Sequence, residues 1–154
     1  LGINGRLDTL QAAVLLAKLE VFEEEVQARS RIGQHYTDLI QAAFANVSEQ
    51  KHRVATPYVA PECTSVYAQY TIQVEDRAKV EAGLKARGIP TAVHYPVPLH
   101  FQPVFSDLGQ GVGSFPVSEA AAQRVLSLPM HPYLSEEHQN RVVGALKEAI
   151  TAKT

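Results

Sequence analysis

The sequence predicts a small α/β layer in which a three-strand sheet is covered by helices and preceded by long helices. Three observations carry this expectation. Residues 65–74 alternate between apolar and polar side chains, residues 7–44 repeat apolar side chains at helical spacing, and the later segments run helix, strand, loop, helix, strand, helix. At 154 residues, with 45% hydrophobic and 19% charged side chains, the chain is long enough for one domain with a core of its own.

From the N-terminal side, Leu7, Leu10, Val14, Ala17 and Val21 form one helical stripe, with Leu15, Leu19, Phe22 and Val26 on its neighbour. This spacing predicts a helix with a broad buried face. Asp8 followed by Gln11 has the form of a capping box, which places the helix start near Asp8. Past the acidic run Glu23-Glu24-Glu25, taken as a solvated face, the periodicity resumes through Ile32, Tyr36, Leu39, Ile40 and Phe44. Two helices, or one long kinked one, are therefore expected over positions 8–45.

Between Asn46 and Pro61 the chain turns polar, and Pro57 and Pro61 exclude a central strand, leaving a connecting loop with at most a short edge strand. "SVYAQYTIQV" puts Val66, Ala68, Tyr70, Ile72 and Val74 on one side and is the clearest strand. A helix from Asp76 then closes at Arg87-Gly88, where Gly takes the left-handed cap. "IPTAVHY" is expected as the next strand. Residues 96–116 are rich in Pro and Gly and form a loop; a short helix follows from Ser118 to about Leu126, and "SLPMHPYL" supplies an extended segment. Ser135 caps a last helix with Val142, Val143, Leu146, Ala149 and Ile150 inward. Positions 1–45 thus read as a loop and long helices, and 46–154 as the small α/β domain.

The formal net charge of −2, with 14 scattered Lys and Arg, offers no basic field for nucleic acid. Cys63 is the only cysteine, which excludes an internal disulfide and fits a reducing cytoplasm. The longest apolar run, at 12–17, is far short of the roughly 20 residues that span a bilayer. Neither a membrane nor secretion is implied, and the opening without a leader reads as a cut just before a functional loop. His94, His100 and His131 raise a metal hypothesis, but no pair has helical-turn spacing and no Cys or acidic residue completes a set. "GQGVG" at 109–113 follows no strand and has neither phosphate-loop nor dinucleotide spacing, so it reads as a turn. No nucleophile elbow occurs, and Cys63 has no assigned base.

Two stretches carry candidate chemistry. In "GINGRLD", Asn4 can donate to a phosphate and the Arg6 guanidinium can clamp phosphate or carboxylate; the alternative is a capping loop with a solvated Arg. In "TAVHYPVPLH", His94 and Tyr95 end a strand before a proline-fixed loop, where side chains are held yet can reach a ligand; the alternative is a half-buried Tyr and a surface His.

Together, "GINGRLDTLQAAVLLAKLE", "SVYAQYTIQV", "GIPTAVHYPVPLHFQPVF" and "VLSLPMHPYL" resemble, in order and separation, the carboxy-terminal part of the DegT/DnrJ/EryC1/StrS family of sugar aminotransferases. The resemblance implies the small carboxy-terminal domain of a fold-type I enzyme that uses pyridoxal 5'-phosphate (PLP), with the large PLP-binding domain absent from this chain. It points most closely to members that aminate UDP-2-acetamido-2-deoxy-3-oxo-glucuronate for bacterial surface polysaccharide. The resemblance further implies that Asn4 contacts the PLP phosphate of a neighbouring subunit. Arg6, His94 and Tyr95 would face the nucleotide-sugar, in a homodimer with a cross-subunit site. An amino-acid donor, glutamate, completes the implied transamination.

The family's Schiff-base lysine lies outside the matching motifs; Lys18, Lys51, Lys79 and Lys85 do not stand in its place, so no catalytic residue and no bound PLP are expected on this chain alone. Some members dehydrate sugars instead, with that lysine replaced by His. From another class, a free-standing α/β module that binds a small anion through Asn4, Arg6, His94 and Tyr95 is the alternative. With its partners absent, residues 1–6 are expected to be poorly fixed.

Overall fold

The computed structural model of the chain describes residues 5–46 and 54–152. Asp8 opens the first element as its position dictates. Its carboxylate accepts from the Gln11 backbone N–H at 2.7 Å, and α1 follows as a single helix, Thr9–Phe44. With no proline in this stretch and only one glycine, nothing interrupts the backbone ladder at the acidic run.

Burial along α1 departs from expectation. Gly33, Tyr36 and Ile40 are buried, whereas Leu10, Val14, Leu15, Leu16, Leu19 and Phe22 are exposed. The expected inward stripe of Leu7, Leu10, Val14, Ala17 and Val21 thus faces outward from the described residues. Only the C-terminal half of the helix reaches the core, where Tyr36 and Ile40 join one apolar cluster with the sheet and the other helices.

The sheet is antiparallel with order β1-β2-β3, where β1 is Val54–Ala55, β2 is Tyr70–Val74 and β3 is Val125–Leu128. Its register pairs Val54 with Val74, Tyr70 with Leu128 and Ile72 with Leu126, placing these side chains on one buried face. On the other face Thr71 lies opposite Ser127, and their hydroxyls are 2.8 Å apart.

The strand count matches expectation but the membership does not. Residues 89–95 contribute only one bridge, in which Ala92 and Ser127 exchange N–H to C=O bonds of 3.2 and 2.8 Å. Pro90 and Pro96 have no N–H to extend the ladder, so the third strand is the two-residue edge Val54–Ala55. The long alternating run is also cut short. Tyr67 adopts φ 42°, which turns the chain and brings Tyr67 inward while Val66 and Ala68 stay exposed. Its backbone is held on both sides: its N–H donates to Ser65 Oγ and its C=O accepts from Arg29 Nη1, each at 3.1 Å.

Helix α2, Arg77–Ala86, is capped by Asp76, whose carboxylate accepts from the Lys79 N–H at 3.1 Å, and it is closed by Gly88 at φ 70°. Helix α3, Pro116–Arg124, starts two residues before the expected Ser118 because Pro116 suits a first turn, and it gives way directly to β3. Helix α4, Glu136–Thr151, opens on Ser135 as expected, with the Ser135 hydroxyl accepting from the His138 N–H at 3.2 Å. Its Val142, Val143, Leu146 and Ile150 meet Val80 and Leu84 of α2 in the core. The buried Gln139 ties α4 to α1. Its Nε2 donates to the Ile32 C=O at 2.8 Å, and its Oε1 lies 2.9 Å from His35 Nδ1. Among the described residues no helix is long and apolar enough to cross a membrane.

Candidate functional site

Beyond the bridge at Ala92 the chain leaves the sheet and enters the proline-rich segment. His94 and Tyr95 are both exposed, Tyr95 by 75%; their rings meet edge to face at 5.6 Å, and the peptide between them is cis. Pro96 and Pro98 follow, then two 3-10 turns, Leu99–Phe101 and Pro103–Leu108. A cavity of about 480 Å³ opens here, lined by His94, Tyr95, Val97 and Leu99 from this segment and by Ser118 and Ala121 from α3. Its size suits a small organic ligand, and its walls are apolar with the imidazole and phenol at the rim. Among the described residues no lysine, cysteine or carboxylate lines it, so the lining holds no amine to anchor a carbonyl cofactor and no carboxylate to serve as a base. What it offers is apolar surface with the polar tips of His94, Tyr95 and Ser118 to bind and orient a molecule.

The sequence-derived site residues come only partly together. His94 and Tyr95 share the cavity. Arg6 is exposed in the irregular lead into α1, makes no hydrogen bond to the described residues, and does not line the cavity. Asn4 lies outside the described residues, as does most of the expectation for residues 1–6. The three histidines weighed for a metal go separate ways. His131 Nδ1 accepts from the Tyr133 N–H at 3.3 Å, and His100 turns to Glu119. Among the described residues no group of three His, Cys, Asp or Glu side chains stands ready for a metal ion.

Glu119 is the feature that the sequence reading missed. On the first turns of α3, its carboxylate accepts from the Gly113 N–H through both oxygens at 3.0 Å, from the Phe115 N–H at 3.1 Å and from His100 Nε2 at 3.1 Å. The bond from Gly113 foremost, with those from Phe115 and His100, holds its pKa below the usual carboxylate value despite some desolvation. The His100 ring centroid stands 4.0 Å from that of Phe101 and 4.9 Å from that of Phe115, both pairs tilted. The available signal was "GVGSFPVSE", in which an acid inside a proline-started helix follows a glycine turn that leaves N–H donors to satisfy.

Comparison with known proteins matches residues 1–147 to the DegT/DnrJ/EryC1/StrS aminotransferase family. The chain is 45% identical over 145 residues to the UDP-2-acetamido-2-deoxy-3-oxo-D-glucuronate aminotransferase of Pseudomonas aeruginosa, covering 94% of this chain and 37% of that relative's length. Among solved structures, a DegT DnrJ EryC1 StrS aminotransferase from Brucella abortus aligns with TM-score 0.80 and 43% identity, over 95% of this chain and 36% of that one. DesV of S. venezuelae, in complex with a ketimine intermediate, aligns with TM-score 0.83 and 34% identity, over 99% of this chain and 39% of that one. The expected fold class is the one these structures share. With a family match over residues 1–147, the chain belongs to the DegT/DnrJ/EryC1/StrS aminotransferase family.

Proposed function

We propose that this chain is the carboxy-terminal portion of a PLP-dependent nucleotide-sugar aminotransferase. It transfers an amino group from glutamate to a 3-keto sugar nucleotide, in the cytoplasm, for bacterial surface polysaccharide. The observation that carries this reading is the 45% identity, across nearly the whole chain, to a relative named for a 3-oxo sugar nucleotide. Two features of the fold support it. The cavity at His94 and Tyr95 offers largely apolar walls and polar tips suited to a nucleotide or sugar. The exposed apolar half of α1 supports a homodimer and a large domain that cover it.

PLP, when bound, supplies the electron sink of the reaction. The described residues do not make a bed for it: the cavity lining contains no lysine to anchor it and no carboxylate to pair with its ring nitrogen. The anchoring groups must come from elsewhere in the protein. In this reading Asn4 contacts the cofactor phosphate of the neighbouring subunit, and Arg6, His94 and Tyr95 bind and orient the sugar nucleotide without moving protons.

The test uses the complete polypeptide with PLP, L-glutamate and UDP-2-acetamido-2-deoxy-3-oxo-D-glucuronate, followed by mass spectrometry of the sugar nucleotide. The expected product carries an amino group in place of the keto oxygen. Arg6→Ala and His94→Ala should each raise the KM for the sugar nucleotide by about 10- to 100-fold, the loss expected for one hydrogen bond to a charged group. Absence of amination, together with small-anion binding by the 154-residue chain alone, would overturn the reading in favour of a free-standing binding module.

A further inference from the structure

We infer that Glu119 is a positioning residue for the cavity at His94 and Tyr95: by clamping His100 and the Gly113–Phe115 turn to α3, it sets the distance between the cavity's two walls. The inference rests on the functional reading above, which places the sugar nucleotide in this cavity.

One wall is the segment 94–102 and the other is α3. Among the described residues, the His100 to Glu119 bond is the sole hydrogen bond that joins this segment to α3; the other bonds made by residues 94–102 stay local, as Phe101 N–H to the Pro98 C=O and Gln102 N–H to the Leu99 C=O. Each partner stands next to a lining residue: His100 follows Leu99, and Glu119 follows Ser118. Motion at the clamp therefore passes to both walls with one peptide of lever arm. Toward Tyr95, Pro96 and Pro98 stiffen the intervening backbone, so a fixed His100 restricts where Tyr95 and His94 can stand.

The clamp is built rather than incidental. The His100 and Glu119 side chains are 8% and 14% exposed, a strong degree of shielding for a hydrogen-bonded polar couple at the junction of a loop and a helix. The same carboxylate gathers two backbone N–H groups from the glycine turn, so that turn, the 3-10 segment and α3 share one acceptor. Val112 of the turn and Phe101 close a second depression of about 250 Å³ against Glu119 and Ala122, beside the first. Glu119 does not line the cavity at His94 and Tyr95; it acts through the segment it holds.

The test is steady-state kinetics of the complete enzyme with Glu119→Gln, which keeps the side-chain volume but loses half of the acceptor set. The expected result is a rise of about tenfold in KM for UDP-2-acetamido-2-deoxy-3-oxo-D-glucuronate, with kcat and the KM for glutamate within about twofold. His100→Asn cuts the same bond from the other end and should raise that KM alike, with no further rise in the double variant. Hydrogen exchange at the Gly113 and Phe115 amides should quicken in Glu119→Gln. Faster exchange with an unchanged KM in an active enzyme would overturn the inference alone. A common loss of kcat and both KM values would also overturn it, since the residue would then serve only the fold. No turnover of the sugar nucleotide by the unsubstituted enzyme would remove the functional reading, and the inference with it.

Discussion

Replacing Gly33 with Ala tests how the long helix meets the sheet layer. A Cβ on Gly33 would sit 2.7 Å from Tyr67 Cγ and closer still to Cδ2 and Cε2, whereas carbon atoms pack best at about 3.5–4.0 Å. The nearest ring atoms would have to retreat by about 1.5 Å to restore contact distance. It has little room to do so. Tyr67 is buried with its ring 5.5 Å from that of Tyr70, and its backbone, at φ 42°, is held by Ser65 and Arg29. Overpacking of this kind costs about 1–3 kcal/mol, and the pinned ring places this site at the upper end.

Removing a glycine from a helix interior returns about 1 kcal/mol, which leaves a net loss of about 2 kcal/mol. For a chain of this size that is a fall of about 4–8 °C in Tm. Gly144→Ala is the control, because a Cβ there meets nothing within 4 Å; its expected outcome is a gain of about 1 kcal/mol. Thermal unfolding followed by circular dichroism reads both. A Gly33→Ala protein as stable as Gly144→Ala would refute the packing argument. The contact also bears on function, since α1 rises about 1.5 Å per residue and its first turn lies about 36 Å along the axis from Gly33. A tilt of about 5° at Gly33 would displace that end, and Arg6 beyond it, by about 3 Å.

Two further outcomes test the core. Burial, with the neighbouring Tyr70 adding to it, raises the Tyr36 hydroxyl above the ordinary tyrosine pKa of 10.0, and burial pushes Tyr70 up to about 12. Because the folded-state values lie above the unfolded one, this stability is fully present below pH 10 and is lost as pH rises through the folded-state range; phenolate absorbance followed alongside circular dichroism should show these two tyrosines ionising only as the fold is lost. Gln139→Leu removes the donor to the Ile32 C=O and the partner of His35 from a side chain only 1% exposed, with an expected loss of about 1–3 kcal/mol in urea denaturation. A neutral result there would show that the tie between α1 and α4 adds nothing net.

What was legible in the sequence is what neighbouring residues settle among themselves. Asp8, Asp76 and Ser135 each cap the helix they precede, because an N-cap needs only a side-chain oxygen and the free N–H groups two or three residues on. Gly88 closes α2 for an equally local reason. The period-2 pattern of Tyr70, Ile72 and Val74 likewise names its own buried face. Within the candidate site, the proline-fixed loop after Tyr95 was legible, but the strand expected to end at His94 and Tyr95 was not formed: with Pro90 and Pro96 giving no N–H to a ladder, only the bridge at Ala92 remains.

The rest was decided by tertiary structure. Apolar spacing in α1 shows that a face seeks burial but not which body provides it, so Leu10 to Phe22 read as core and stand exposed. The two-residue strand Val54–Ala55 exists only because Val74 and Gln73 lie alongside to accept it. Tyr67 reverses the parity of its strand because Gly33, 34 positions earlier, leaves room for its ring. Glu119 illustrates the same division at the site. The helix that carries it is written in "FPVSE", but its union with His100 joins residues 19 apart through a loop whose path no local preference specifies. Local hydrogen bonds and side-chain period are properties of a few adjacent residues and survive in the sequence; partners across the fold depend on which surfaces meet, and only the folded chain sets them.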